Sequence, residues 1–196
     1  MRFYFYQSMK KRVFFITAFI AMVAMNVHGQ KITAFLGGGI EFGGDEVYEL
    51  FFTNGESSIG TAGQGGFLEA GGQCDFEKIP AFFIRGSAGF KFLLNPTENA
   101  ATRFTRIPIN FSGNWMFTDD IRFGAGFTKH FATRVIGDGF VADKDFTTSL
   151  GPRFELAYRG LALSYTFQNY TDQNNIDYSA NCIGISYSGT IKLNKS

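Results

Sequence analysis

His130 is the only histidine beyond residue 29 in a chain of 196 residues, and it is the first place to look for chemistry. It lies in an alternating segment on the same parity as Arg122, and Ser149 takes the matching inward parity of the next segment. A serine beside an imidazole is the raw material of acyl transfer, because the ring can accept the hydroxyl proton as the oxygen attacks. The surrounding "FTKHFATR" (127–134) carries no hydrolase motif, however, so the sequence does not single out an enzyme. The two cysteines, Cys74 and Cys182, fall on opposite parities near opposite ends of segments that a third segment separates. A disulfide between them would violate normal geometry, so two free thiols are expected. Neither has Cys or His neighbours at ligand spacing, and no metal or other cofactor is expected. "GGGIEFGG" (37–44) lacks the order of a phosphate loop and no helix follows it, so its glycines are expected in a curved strand.

What remains is charge. Glu41, Glu69, Arg85, Lys91, Arg106, Arg122, Arg153 and Glu155 share the less greasy parity of their segments. If that parity points inward, these ions must be paired or wetted, since an isolated buried ion is costly. They then form either a salt-bridged plug or a selective ion path, and the narrow interior of a small barrel favours the plug.

The elements that hold these residues are strands. Alternation with period two marks eight segments, near 31–42, 65–76, 81–94, 103–117, 121–134, 147–158, 161–171 and 177–193. The connections alternate between long (43–64, 95–102, 135–146, 171–177) and short (77–80, 118–120, 159–160), which puts all long loops on one rim. Short hairpins must bring like faces together. They do so here, pairing Phe117 with Ile121 and Tyr158 with Leu161.

One parity carries Ile107, Ile109, Phe111, Trp115 and Phe117, then Phe123, Phe127 and Phe131, then Leu161, Leu163, Tyr165 and Phe167. Eight such rows exceed what the inside of an eight-stranded barrel holds. The other parity is small, with Gly124, Gly126 and Thr128, then Ala162, Ser164 and Thr166, then Gly184, Ser186 and Ser188, and is too poor in charge for a water-facing surface. The greasy face therefore points outward, and a closed barrel satisfies its backbone without water, as lipid demands. The expected fold is all-β: an eight-stranded antiparallel up-and-down transmembrane β-barrel over residues 30–196, behind a cleaved signal peptide at 1–29.

That leader has "MKKR" (9–12), an apolar run over 13–25 and small residues before Gln30, the layout of a secretory signal, with translation starting at Met1 or Met9. Thirteen apolar residues fall short of the roughly 20 needed for a membrane-spanning helix. Losing Arg2, Lys10, Lys11 and Arg12 from 18 basic residues leaves 14 against 17 acidic ones, a net charge of −3 that speaks against nucleic acid as a partner.

In this pattern the chain resembles the small OmpA/OmpX-type outer-membrane β-barrels of Gram-negative bacteria, and its Phe-rich, Gly-rich style is similar to barrels of Bacteroidota. The resemblance implies a bacterial outer-membrane location, contact with outer-membrane lipid and lipopolysaccharide, and handling by the barrel-insertion machinery. The chain departs from many members in ending on "GTIKLNKS" rather than on an aromatic. Some small barrels deacylate or acylate lipid A, and the deacylases work from the membrane face, to which His130 is opposed. The expected role is structural or interactive, with four loops presented outside. The alternatives are a subunit of an outer-membrane secretion or assembly machine and a lipid A-modifying enzyme. In the first loop "DEVYELFF" (45–52) offers Tyr48, Phe51 and Phe52 for contact with a protein partner, while "DGFVADKDF" (138–146) lies in the third; neither matches a calcium loop.

Overall fold

A computed structural model describes residues 30–51, 55, 57–97 and 100–191. The segment expected to be a signal peptide, 1–29, and Phe52 lie outside the described residues. The chain forms β1 (Gln30–Phe42), β2 (Glu46–Phe51), β3 (Ser57–Thr61), β4 (Gly65–Phe76), β5 (Phe82–Thr97), β6 (Ala100–Met116), β7 (Ile121–Ile136), β8 (Lys144–Thr148), β9 (Gly151–Tyr158), β10 (Leu161–Thr166), β11 (Asn169–Asp172), β12 (Asp177–Ser179) and β13 (Cys182–Ile191). Eight of these, β1, β4, β5, β6, β7, β9, β10 and β13, pair in antiparallel sequence, and β13 returns to β1 to close the wall.

The short turns set the register. The Phe117 N–H donates to the Ile121 carbonyl at 2.9 Å, and the Thr118 hydroxyl accepts the Ile121 N–H at 3.0 Å. Tyr158 pairs with Leu161 across a two-residue turn whose Arg159 takes φ 56°, the left-handed conformation such tight hairpins require.

Polarity is inverted relative to a protein folded in water. Leu68, Phe127 and Leu163 are 66%, 54% and 54% exposed, while Ala162, Ser164, Thr166 and Thr128 are buried. Only contact with an apolar medium removes the cost of so wide a greasy belt. Aromatic rings gather at its two edges, as they do where a barrel wall meets lipid headgroups. Phe82 packs against Phe76 and Trp115 at the short-turn rim (5.9 and 6.3 Å between ring centres), and Tyr165 against Phe167 toward the other rim (4.6 Å).

The wall departs from the expected strands above this belt. Where a loop is expected at 95–102, the described residues are strand: β5 and β6 stay paired from Leu94 with Arg103 up to Thr97 with Ala100, so the two strands run on beyond the belt. The first long loop folds as the β2–β3 hairpin. The last three segments each break once, between β8 and β9, β10 and β11, and β12 and β13. Single hydrogen bonds carry the wall across the gaps, such as Ser149 N–H to the Asn169 carbonyl (2.9 Å) and Ala180 N–H to the Gln168 carbonyl (2.7 Å). β7 does not break but bulges: Thr105 pairs with Arg134 and Ile107 with Phe131, leaving Ala132 (φ 48°) and Thr133 opposite Arg106. The extra residue reverses the parity, so Thr133 and Val135 turn inward and Arg134 outward.

Candidate functional site

The inward charges come from six strands whose alternation points them at one axis. Five of them form a chain of alternating sign. Glu41 on β1 accepts from Lys91 on β5 and from Arg153 on β9, the latter at 2.8 Å; Arg153 also approaches Glu155 at 3.8 Å, and Glu155 pairs with Arg122 on β7. Arg122 donates in addition to the Asn114 side-chain carbonyl. Removing one member of such a buried set strands its partner, at a cost of roughly 3–5 kcal/mol.

The other three are satisfied differently. Glu69 accepts from the Ser87 hydroxyl (2.7 Å) and the Asn110 amide (3.0 Å). Arg85 donates to Gln73 (2.9 Å) and Ser188 (3.3 Å) while its guanidinium lies over the rings of Phe35 and Phe83, 4.7 and 5.3 Å from their centres. Arg106, fully buried, donates to the backbone carbonyls of Ala62 (2.7 Å) and Gln64 (2.6 Å) and lies 3.9 Å from the centre of the Phe104 ring. About 40 Å³ of free volume, room for water, remains between Glu69, Arg85, Arg122, Arg153 and Glu155.

Arg106 and Lys91 are thus more than plug material, because they hold the first loop down. Lys91 donates to the Gly63 carbonyl next to those Arg106 takes. On its other side the same stretch is tied to the wall by Ala62 N–H to Asp45 (2.8 Å) and Gly63 N–H to Gly43 (3.0 Å). Above it Val47, Tyr48 and Leu50 of the hairpin are buried against Phe104, Val135, Phe146 and Tyr170. The long-loop mouth is therefore filled by a folded lid, with Lys144 of the third loop donating to the Val47 carbonyl at 2.9 Å.

This corrects the expectation for Tyr48. It is buried under the hairpin rather than displayed, because a register shift between Glu46 and Tyr48 turns Val47 and Tyr48 both inward. Burial pushes its phenol above the ordinary value, an effect the Arg106 charge opposes. Phe51 is 78% exposed and does face outward. On the fourth loop, Asp172 accepts the N–H groups of Ile176 (2.9 Å) and Asn174 (2.8 Å), which hold its carboxyl below the usual aspartate value.

His130 is buried and its Nδ1 pairs with the Tyr170 hydroxyl. Ser149 is exposed at the break between β8 and β9, where its Oγ accepts the Asn169 N–H at 3.0 Å. Its expected inward direction is lost at that break, and the two side chains bond to different partners. Cys74 and Cys182 are both free. The glycines of 37–44 lie in and just beyond β1; at Gly39 a Cβ would meet the Ile185 carbonyl at 2.3 Å, a close strand approach rather than a phosphate cradle.

The aromatic lining went unremarked in the sequence although its parity marked it: Phe35 shares the face of Glu41, Phe67 that of Glu69, and Phe83 that of Arg85. Glycine makes the room, since a Cβ at Gly71 would stand 2.8 Å from the Phe35 ring.

No family model matches the chain, and no curated protein matches it. Several solved structures match it, among them the following two. One is Ail, the attachment invasion locus protein of Yersinia pestis, in complex with the heparin analogue sucrose octasulfate, with 11% identity, a TM-score of 0.41 and coverage of 83% of this chain and 100% of that one. The other comes from the de novo design of transmembrane β-barrels, with 17% identity, a TM-score of 0.28 and coverage of 80% and 95%. The chain's own geometry carries the assignment: a closed antiparallel wall, greasy outside and ionic inside, is a membrane β-barrel of eight strands.

Proposed function

We propose that this protein is delivered by its cleaved signal to the bacterial outer membrane, closes its interior to solutes, and works through the face that carries its long loops. The observation that carries this is the clamped lid: Arg106 and Lys91 tie the backbone of Ala62, Gly63 and Gln64 across the mouth beneath a buried apolar cluster. A barrel so filled has no path for a substrate, and its belt is taken up by lipid. What is left for function is the crown of hairpins, which offers Phe51 and the turns at 137–143 and 173–176 to a partner or surface. No catalytic step is assigned to His130 or Ser149.

The test uses the full chain in its native membrane. With both native cysteines replaced by alanine, Asn174→Cys is expected to react with a membrane-impermeant maleimide on intact cells, whereas Asp119→Cys on a short turn reacts only after lysis. The opposite pattern overturns the orientation. The purified protein is expected to give no steady current in planar bilayers, and a porin-like current overturns the closed interior. Crosslinking from Asn174→Cys then identifies the neighbour, and recovery of a fixed set of envelope proteins turns the reading toward a machine subunit.

A further inference from the structure

The outward column of β7 reads Ile121, Phe123, Ala125, Phe127, Lys129, Phe131. A lysine thus interrupts a greasy row, with Ile109 beside it on β6 and with Phe127 and Phe131, both exposed, below and above. Among the described residues Lys129 has no ion pair, and its ammonium lies 5.7 Å from the centre of the Phe131 ring, so the side chain runs along the wall toward the long-loop rim. That is the posture of a cation escaping hydrocarbon.

Beyond Phe131 the wall changes character because of the bulge. With unbroken parity Arg134 would enter the barrel; the extra residue at Ala132 turns it outward opposite Thr105, and exposed Arg103 stands two residues farther along β6. Arg134 is half exposed and held by Asp145 (3.3 Å) and Asp143 (3.9 Å) of the third loop. Three cations against two carboxylates leave this patch of the wall positive, and neither Lys129 nor Arg103 has a carboxylate partner among the described residues. From Lys129 to Arg134 the backbone runs roughly 17 Å, less the shortening of the bulge, and the Lys129 side chain extends along part of that span.

We propose that Lys129, Arg134 and Arg103 form a binding site for the phosphate of a membrane lipid, whose acyl chains lie along Phe127, Ile109 and Phe131. The site sits where a headgroup phosphate sits, at the upper edge of the belt, with positive charge above and apolar surface below. Its assignment to the outer leaflet rests on the orientation proposed above.

The experiment is native mass spectrometry of the detergent-solubilised protein titrated with bisphosphorylated lipid A. The wild type is expected to retain the lipid, Lys129→Met to lower its apparent affinity on the order of tenfold, and Lys129→Arg to restore it. Lipid A stripped of its phosphates is expected to bind the wild type as weakly as intact lipid A binds Lys129→Met, and inorganic phosphate is expected not to compete. Equal retention by wild type and Lys129→Met, or of phosphorylated and stripped lipid, overturns the site; competition by inorganic phosphate overturns a lipid as its source. Lys129→Met removes a charge from a lipid-facing wall, so it folds, and heat-modifiable migration on a gel verifies this. Binding in detergent is independent of how the barrel sits in a cell. A failure here removes the site alone, whereas labelling of Asn174→Cys only after lysis removes the leaflet assignment and leaves phosphate selectivity standing.

Discussion

Replacing Arg106 with methionine separates the lid from the barrel that carries it. Methionine keeps an unbranched apolar stem against Phe104 but leaves the Ala62 and Gln64 carbonyls without the two donors that now reach them at 2.7 and 2.6 Å. A hydrogen bond from a charged donor contributes about 1.5–3 kcal/mol net, so the pair holds the lid by about 3–6 kcal/mol. The buried side chains of Val47, Tyr48 and Leu50 add about 1.5–3 kcal/mol each, and the substitution leaves them in place. Lid opening in Arg106→Met is therefore expected to rise by roughly two to four powers of ten, while the remaining burial keeps the mouth shut nearly all the time. Amide hydrogen exchange in nanodiscs reads this directly. The amides of 47–50 and 59–62 are expected to accelerate by that factor, those of β9 and β10 to stay within a few-fold of wild type, and planar bilayers to remain quiet. Unchanged exchange in the hairpin refutes the clamp. Acceleration spread evenly over hairpin and wall refutes it too, because Arg106 would then support the whole barrel.

Three further expectations follow from the same geometry. Phe127→Arg places a charge in the belt and lowers folding stability by about 2–4 kcal/mol if the site lies near the bilayer midplane, whereas Gly126→Ala fails through crowding, since its Cβ would meet the Phe111 carbonyl at 2.0 Å; denaturant titrations in lipid vesicles give both values. Asp172 has a carboxyl pKa held down in the folded state, so its contribution is present above the unfolded aspartate value and is lost as pH falls through the folded one; exchange of the Asn174 and Ile176 amides is expected to lose protection on acidification, and Asp172→Ala to show that loss already at neutral pH. Cys74 pairs with Ile32 and Ile183 with Phe42, ten residues apart along β1 or about 33 Å, so migration on a denaturing gel is expected to be the same with and without reductant.

Architecture was legible because the period-two pattern is long and its two faces differ so sharply in chemistry. Parity located the lipid face, the inward ions and both short registers, down to Phe117 with Ile121. Reading failed where backbone geometry, not side-chain pattern, decides. The bulge at Ala132 and the break at Ser149 leave no mark in hydropathy, so the outward turn of Arg134 and the exposure of Ser149 could not be anticipated. Tyr48 looked like a displayed aromatic in an acidic loop, because its burial depends on carbonyls held by Arg106 and Lys91, more than forty and twenty-five positions away respectively from the residues they grip. The inward phenylalanines lay in plain sight on the ionic parity; attention to charge hid them.

The irregularities at Gly43 and Gly44, at Ala132, between β8 and β9, between β10 and β11 and between β12 and β13 occur where the barrel wall passes into the loop structures. A continuous pleated strand transmits length and register, so one lost or added residue shifts everything above it. A seam of interruptions stops that transmission. On the interrupted strands, residues beyond the seam can be lengthened, shortened or exchanged without re-registering the part below, a fixed pedestal with replaceable parts, whereas the uninterrupted β5–β6 pair runs straight through. Foreign epitopes grafted at 173–176 or 138–142 should be carried without penalty to the pedestal, and graft and barrel should melt as separate units.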